Sequence, residues 1–267
     1  MREITKLKDR FCRQYALHCD KVKNSDIFSC TLGDQCSCRL AAEVQAYLYT
    51  ILPQDYQRFN IFDFDGKNAD AKELLKKEKV LEVKAKISTY CWGMSFDELK
   101  NIHKDGRSVD KFSIMDRRKR RGDCVVIGGN VNRQSGRTLT ASIILREAIK
   151  RRFCSNANAL QTYEWLEFPN LKMHAKNRDD TLTDYQYADW LVVDNFTEED
   201  LDAPRNVKSY IISLLDPFFI TRFEMNLPTI LVFRFKIADA HVAIQETFGV
   251  GVDRILNNSR TTKIDLS

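Results

Sequence analysis

One stretch in the middle of the chain constrains its fold more than any other, because an apolar run, a polar loop and a helical pattern follow one another directly. Cys124–Ile127 is a short, unbroken apolar run, Gly128 and Gly129 follow it, and Leu139–Ile149 has the apolar periodicity of a helix. This order predicts a buried strand, a loop and a helix. A loop in that place can cradle phosphate groups, because its backbone N–H groups and the helix N-terminus point at the same spot.

Two further apolar runs predict the rest of a buried sheet. Trp190–Val193 and Thr229–Phe233 are unbroken apolar segments, and helical patterns lie between them. Such strands, joined by helices, favour a parallel sheet that is covered on both faces. The composition is 43% hydrophobic with only 10 Gly and 5 Pro, which supplies enough apolar surface for that core. We therefore predict an α/β fold with a parallel sheet flanked by helices.

The residues before this sheet are predicted to be mostly helical. Apolar residues recur at helical spacing from Leu40 until Pro53 stops the pattern, and again over Asp70–Trp92. Ser95 and Glu98 have the spacing of a capping box, in which each residue bonds the other's backbone N–H at the start of a helix.

Composition marks the boundaries between the predicted domains. The basic run Arg117–Arg121 lies directly before the first strand. We predict a small, mostly helical, cysteine-rich module at 1–65, a helical linker at 66–115 and a nucleotide-binding domain at 116–267.

Charge and hydropathy narrow the class of protein. The 42 basic and 37 acidic side chains give a net charge of +5, which is too mild to indicate nucleic-acid binding by itself. No stretch approaches the roughly 18 apolar residues that a membrane span needs. We expect a cytoplasmic protein without a membrane partner.

The loop after the first strand resembles the phosphate-binding pattern G-x-x-x-x-G-K-[ST]. Gly136 supplies the tight turn and Thr138 the hydroxyl, whereas Val131 stands in place of the first glycine and Arg137 in place of the lysine. The predicted nucleotide contacts are Asn132, Ser135, Gly136, Arg137, Thr138 and Leu139. The alternative is a glycine-containing turn that caps an ordinary helix.

The second apolar strand ends in a carboxylate, which strengthens this interpretation. Asp194 follows Trp190–Val193 at the place where a magnesium-supporting acid is expected. Thr138 and Asp194 are therefore the predicted Mg²⁺ ligands in a pocket for ATP or ADP. Asn195 comes next, and a neutral amide orients water but is a poor base. Together with Arg137 it predicts slow hydrolysis or none, so whether the protein is an enzyme stays open.

These residues resemble the DnaC/IstB-like branch of AAA+ proteins, which includes replicative helicase loaders, over Gly122–Leu266. The segment Ile220–Ile230 is similar to the family's approach to its sensor strand, which implies that Arg222 is an arginine finger for a neighbouring subunit. The C-terminal helix is similar too, which implies a sensor role for Arg254. The tip of the sensor strand departs from the family pattern, because only Arg234 is polar there. The alternative for Arg222 and Arg254 is an ordinary surface salt bridge.

The resemblance implies a function and its partners. A front module would grip a hexameric replicative helicase, and the AAA+ domain would bind ATP, self-associate and deliver the helicase to single-stranded DNA. Ile51–Tyr56 and Phe62–Phe64 are similar to the family's segment after that module. Two alternatives remain: an adaptor that has lost nucleotide binding, and an ATP-dependent helper subunit of a transposase.

Five cysteines lie close together near the start of the chain. Cys19, Cys30, Cys36 and Cys38 are the predicted ligands of a Zn²⁺ ion, with Cys12 as a substitute. Zinc would help so short a segment to fold. The alternatives are free thiols in a small core and an iron–sulfur cluster.

Two basic clusters are candidates for contacts with single-stranded DNA. Arg117–Arg121 precedes the first strand, and Lys150–Arg152 follows the helix after the phosphate loop. The resemblance implies DNA binding, and a basic groove suits it. The alternative is that both clusters are solvated helix ends, where basic residues favour the helix dipole.

Overall fold

The computed structural model of the protein describes residues 45–57, 59, 61–64, 77–104, 112–129, 136–152 and 162–267. Some of the predicted ligands lie outside these residues: Cys12, Cys19, Cys30, Cys36, Cys38, Asn132 and Ser135. No helix in the described part of the chain combines the length and apolar character that a membrane span requires.

Strands and helices alternate along most of the described chain. The strands are β1 Val125–Gly128, β2 Tyr163–Glu167, β3 Trp190–Phe196, β4 Thr229–Phe233 and β5 Thr262–Asp265. The helices are α1 at 45–51, α2 Lys77–Trp92, α3 Phe96–Lys104, α4 Phe112–Arg121, α5 Arg137–Arg152, α6 Phe168–Asn177, α7 Thr181–Tyr187, α8 Glu198–Leu201, α9 Arg205–Glu224 and α10 Ile237–Asn257.

The five strands form one parallel sheet in the order β2-β3-β4-β1-β5. Val125 in β1 pairs with Ile230 on one side and with Thr262 on the other. The strands predicted around Cys124–Ile127, Trp190–Val193 and Thr229–Phe233 are all present, and the predicted α/β fold with a parallel sheet flanked by helices is confirmed.

Successive side chains of each strand enter two different apolar clusters. Val125 and Ile127 face a cluster that contains α2 and α5, whereas Val126 faces one that contains α6, α9 and α10. Side chains alternate between the two faces of a strand, so a strand covered on both faces must be apolar at every position. This explains the unbroken apolar runs in the sequence.

The described residues before position 65 pack against the same sheet. Leu48, Leu52, Ile61 and Phe64 are buried in the cluster that contains α2 and α5. The apolar core is therefore continuous across the predicted domain boundary at 65.

The predicted capping box at the start of α3 is confirmed. The Ser95 hydroxyl accepts a hydrogen bond from the Glu98 backbone N–H at 3.2 Å, and a Glu98 carboxylate oxygen accepts one from the Ser95 N–H at 2.8 Å. The reciprocal bonds satisfy two N–H groups that a helix start leaves without partners.

Helix α10 is interrupted at Gly249, where φ is 86° and ψ is −176°. A methyl group at this position would lie 2.4 Å from Oδ1 of Asp216 on α9. The same oxygen accepts a hydrogen bond from the Gly251 N–H at 2.7 Å, so it caps the second half of the helix. The kink therefore connects α10 to α9 through the Asp216 carboxylate.

We predict that Gly249→Ala lowers the free energy of unfolding by about 2 to 4 kcal/mol. An L-residue is strained at this positive φ, and its methyl group would displace the Asp216 carboxylate. Urea unfolding measures the change. Val250→Ala is the control, because Val250 is 43% exposed and its truncation should change stability by about 0.5 kcal/mol or less. Equal effects of the two variants would show that the kink does not need glycine.

Candidate functional site

The site lies at the carboxyl end of the sheet, where the direction of the chain connections changes. The helix after β1, α5, packs on one face of the sheet, whereas the helix after its neighbour β4, α10, packs on the other. The two connections therefore diverge and leave a crevice outside the ends of the strands. Ligands of open parallel sheets bind in such crevices.

Thr138 and Asp194, the predicted magnesium ligands, meet in this crevice. Thr138 is the second residue of α5, and its hydroxyl donates a hydrogen bond to Oδ2 of Asp194 at 2.9 Å. Asp194 lies near the end of β3 and is only 6% exposed. Burial raises the pKa of its carboxyl group, while the hydrogen bonds from Thr138 and the Asn195 N–H, and the charge of Arg234, oppose the rise.

Asn195 departs from regular strand geometry beside the carboxylate. Its φ is 73°, a left-handed conformation that asparagine tolerates better than most residues, and the pairing of β3 with β4 is irregular between Val193 and Phe196. Its backbone N–H donates to Oδ1 of Asp194 at 2.6 Å. The side-chain Oδ1 of Asn195 is buried without a hydrogen-bond partner. It is therefore an acceptor that a ligand or a water molecule can satisfy.

Gly136 directly precedes α5, at the end of the predicted phosphate loop. Its φ is 77°, and its carbonyl oxygen accepts hydrogen bonds from both the N–H and the hydroxyl of Thr140, at 2.8 and 2.9 Å. Of the other predicted nucleotide contacts, Leu139 is buried in the core, so its side chain packs and only its backbone faces the loop.

Arg137 is buried, and its Nη1 donates a hydrogen bond to the Gly129 carbonyl oxygen at 3.0 Å, across the base of the loop. Burial lowers its pKa to about 10, and repulsion from Arg234 adds to this shift. Arg234 is exposed directly after β4, with its N–H bonded to the Phe196 carbonyl oxygen at 2.8 Å. Two guanidinium groups therefore act on the crevice with Asp194, which makes it attractive to anions. Sequence reasoning left Arg234 without a role.

The oxygen atoms of this site suit Mg²⁺. The ion prefers oxygen ligands and is commonly held by one or two protein side chains together with substrate phosphates. A hydroxyl, a carboxylate and the unpartnered amide oxygen of Asn195 supply such ligands. Within the described residues, no group of three or more His, Cys, Asp or Glu side chains is placed to hold a metal without such help.

The structure contradicts the predicted role of Arg222 as an arginine finger. Its side chain is fully buried, and its guanidinium lies at the amino ends of β3 and β4, opposite the crevice. All three of its nitrogen atoms donate hydrogen bonds, to the Thr229 hydroxyl and to the carbonyl oxygens of Tyr185, Gln186, Ala188 and Pro228. A group held in this way cannot reach the nucleotide of a neighbouring subunit.

The predicted sensor role of Arg254 is contradicted as well. Arg254 lies in the last turn of α10, directly before β5, and therefore at the amino edge of the sheet. Its Nη1 is 3.5 Å from Oε1 of Glu224, at the end of α9. Both side chains are exposed, so Arg254 forms a surface salt bridge far from Asp194 and Thr138.

Residues of the basic run Arg117–Arg121 form ion pairs at the amino edge of the sheet. Arg118 lies 2.7 Å from the buried carboxylate of Asp123 and over the ring of Tyr90, and Lys119 pairs with Asp189. These contacts stabilise the end of α4. DNA binding by Arg117–Arg121 or by Lys150–Arg152 stays a prediction.

The structure is an α/β fold with a five-stranded parallel sheet flanked by helices, and Thr138 and Asp194 meet at its carboxyl edge. Two solved structures are similar in fold, each with 14% sequence identity: DnaI, with a TM-score of 0.44 over 81% of this chain and 92% of that one, and a candidate primosome component from Streptococcus pyogenes serotype M3, with a TM-score of 0.42 over 81% and 90%. No protein-family model and no curated protein matches the chain. At this identity and these TM-scores the similarity does not assign a function.

We predict that Arg222→Met lowers the free energy of unfolding by about 3 kcal/mol or more, because several buried oxygen atoms lose their hydrogen-bond donor. Chemical denaturation measures the loss. Arg254→Met, which removes an exposed ion pair, should cost less than about 1 kcal/mol. A fully stable Arg222→Met variant would contradict the structural role described here.

A second prediction concerns the pH dependence of stability. The pKa of Asp194 is raised in the folded state, so its ionised form destabilises the fold at neutral pH. That cost is lost as the pH falls through the raised pKa toward the unfolded value of about 3.9. Asp194→Asn should therefore raise the urea midpoint at pH 7 and raise it less near pH 4.

The exposed carboxylate of Asp202 provides the matched control. Asp202→Asn should leave the urea midpoint nearly unchanged at both pH values. A midpoint for Asp194→Asn at pH 7 equal to or below that of the parent would contradict the effect of burial.

Proposed function

We propose that the protein is a helicase loader whose α/β domain binds ATP with Mg²⁺ and uses the nucleotide as a switch. The hydrogen-bonded pair of Thr138 and Asp194 carries the nucleotide-binding part of this proposal. A hydroxyl from the helix after the first strand and a carboxylate from a separate strand converge outside the sheet, which is the pairing that a magnesium–nucleotide site needs.

Different residues of the crevice would bind different parts of the ligand. Thr138 and Asp194 would hold Mg²⁺, which neutralises phosphate charge and fixes the phosphate oxygens in place. The first N–H groups of α5 have no partners within the helix and would bind phosphate oxygens. Arg137 and Arg234 would supply positive charge on two sides of the crevice. Phosphates would replace the Gly129 carbonyl oxygen as the acceptor of Arg137.

The same residues favour binding over hydrolysis. Asn195 carries a neutral amide beside Asp194, and an amide cannot take a proton from an attacking water molecule. Arg137 presents a planar fork where a lysine would present a compact ammonium group, so its reach to the phosphates differs. ATP is therefore proposed to change the state of the protein slowly, without rapid turnover.

The loader part of the proposal comes from the resemblance to the DnaC/IstB-like branch. A hexameric replicative helicase is the proposed partner of the front module, with zinc on the cysteines before Leu40, and single-stranded DNA is the proposed target. Self-association through the α/β domain would need a contact to the neighbouring nucleotide other than Arg222, since that side chain is buried.

We predict that the purified chain binds Mg·ATP in the micromolar range and that Thr138→Ala and Asp194→Ala each weaken binding by about ten-fold or more, equivalent to about 1.4 kcal/mol. Equilibrium binding of labelled ATP and ADP, with magnesium and with a chelator, measures this. Ser142→Ala is the matched control, because Ser142 is a buried hydroxyl on the same helix whose Oγ has no hydrogen-bond partner.

The outcomes separate the candidate functions. If the folded parent does not bind nucleotide, the proposed nucleotide switch is wrong, and an adaptor that has lost nucleotide binding is favoured. If ATP binds, capture of a purified hexameric helicase supports the loader, whereas capture of a transposase in its place would favour the helper-subunit alternative.

A further inference from the structure

Phe64, which lies between α1 and α2, packs directly against Gly136 at the start of α5. The ring of Phe64 is fully buried, and a methyl group built at Gly136 would lie 3.1 Å from its Cε2. The ring therefore occupies the space beside Gly136 where other residues carry a side chain. Gly136 is held from two directions, since Thr140 bonds its carbonyl oxygen and Phe64 covers its Cα.

A clamp on α5 holds residues before Phe64 in place. Nη1 of Arg146 donates hydrogen bonds to the carbonyl oxygens of Gln57 and Phe59, at 2.7 and 3.1 Å. The Gln57 side chain in turn donates to the carbonyl oxygens of Tyr49 and Leu52, which ties the clamp to the end of α1. These hydrogen bonds hold Gln57 and Phe59 on α5, a few residues before Phe64 in the chain.

The position of Gly136 decides where the magnesium ligand lies. Gly136 has a left-handed φ, and the next two residues are Arg137 and Thr138. A rotation of the glycine would move the Thr138 hydroxyl away from Asp194, 2.9 Å distant. Side chains packed against a loop limit such rotations, because close-packed interiors leave no room for them.

We propose that Phe64 is a positioning residue for Gly136 and the start of α5, and that the described residues from α1 to Phe64 are therefore energetically coupled to the nucleotide. The proposal rests on nucleotide binding in the crevice. Coupling is reciprocal: a bound nucleotide stabilises the segment on α5, and a partner that pulls the segment away weakens nucleotide binding by the same factor. Through these contacts, a partner that binds the residues between α1 and Phe64 would change the affinity for the nucleotide.

The test compares full-length variants at a temperature where circular dichroism shows each of them folded. Phe64→Ala removes the ring beside Gly136, and Phe64→Leu keeps part of its volume. Ile87→Ala is the matched control, because Ile87 is fully buried in the same cluster but lies on α2, outside the segment from α1 to Phe64. Arg146→Met leaves the ring intact and removes the clamp, so it tests the idea even if Phe64→Ala fails to fold.

Two readouts are measured, and the first needs no nucleotide. Hydrogen exchange of the Thr140 amide, which is bonded to the Gly136 carbonyl oxygen at 2.8 Å, reports directly on the glycine. The second is the dissociation constant of Mg·ATP. We expect the exchange rate and the dissociation constant to rise about ten-fold in Phe64→Ala and Arg146→Met, which is a coupling of ordinary size. Both should rise less in Phe64→Leu and little in Ile87→Ala.

The outcomes distinguish this proposal from the proposed function. If the parent does not bind ATP, the proposed function fails, and Thr140 exchange still decides whether Phe64 holds the loop. If the parent binds ATP but Phe64→Ala changes neither readout, or changes them no more than Ile87→Ala does, the positioning role is overturned. Slower exchange at residues 45–57 on addition of Mg·ATP supports the coupling, and unchanged exchange there contradicts it.

Discussion

The hydrogen bond between Thr138 and Asp194 is the constraint around which the candidate site is built. It joins the start of α5 to the end of β3, two strands away from β1 in the sheet. The bond exists only because three conditions hold together: the strands are parallel, α5 begins directly after Gly136, and β3 carries a buried carboxylate near its carboxyl end. Each condition follows from a different part of the sequence, so their agreement at one pair of atoms supports a function more strongly than any single motif does.

The sequence predicted the central strands but missed β2, which lies at one edge of the sheet, for a physical reason. Strands β1, β3 and β4 are covered on both faces, so their unbroken apolar runs are visible in the sequence. Strand β2 lies at the edge of the sheet and pairs only with β3, and it carries Glu164 and Glu167 beside buried Tyr163 and Leu166. Its mixed pattern is that of a half-exposed strand, which the short segment Tyr163–Glu167 does not distinguish from a helix start.

Similarity of a sequence segment did not predict the positions of the arginines relative to the crevice. Arg222 and Arg254 both precede a strand, and residues before a parallel strand lie at its amino edge, whereas the crevice lies at the carboxyl edge. Arg234 follows β4 and therefore lies at the functional edge. The position of each arginine relative to its strand was available from the sequence, so this signal could have found Arg234. The burial of Arg222 was not, because its acceptors come from distant segments that only the fold brings together.

Function and stability oppose each other at Asp194. The carboxyl group is almost fully buried, and burial raises its pKa, so keeping it ionised at neutral pH costs free energy. Positive charge nearby offsets this cost, but Arg137 is itself buried and is repelled by Arg234. The proposed ligand, a nucleotide with Mg²⁺, would bring opposite charges to both kinds of group: a metal ion for the Asp194 carboxylate and phosphates for the two guanidinium groups. Part of the free energy of binding would then come from two sources: weaker repulsion between Arg137 and Arg234, and a lower cost of keeping Asp194 ionised.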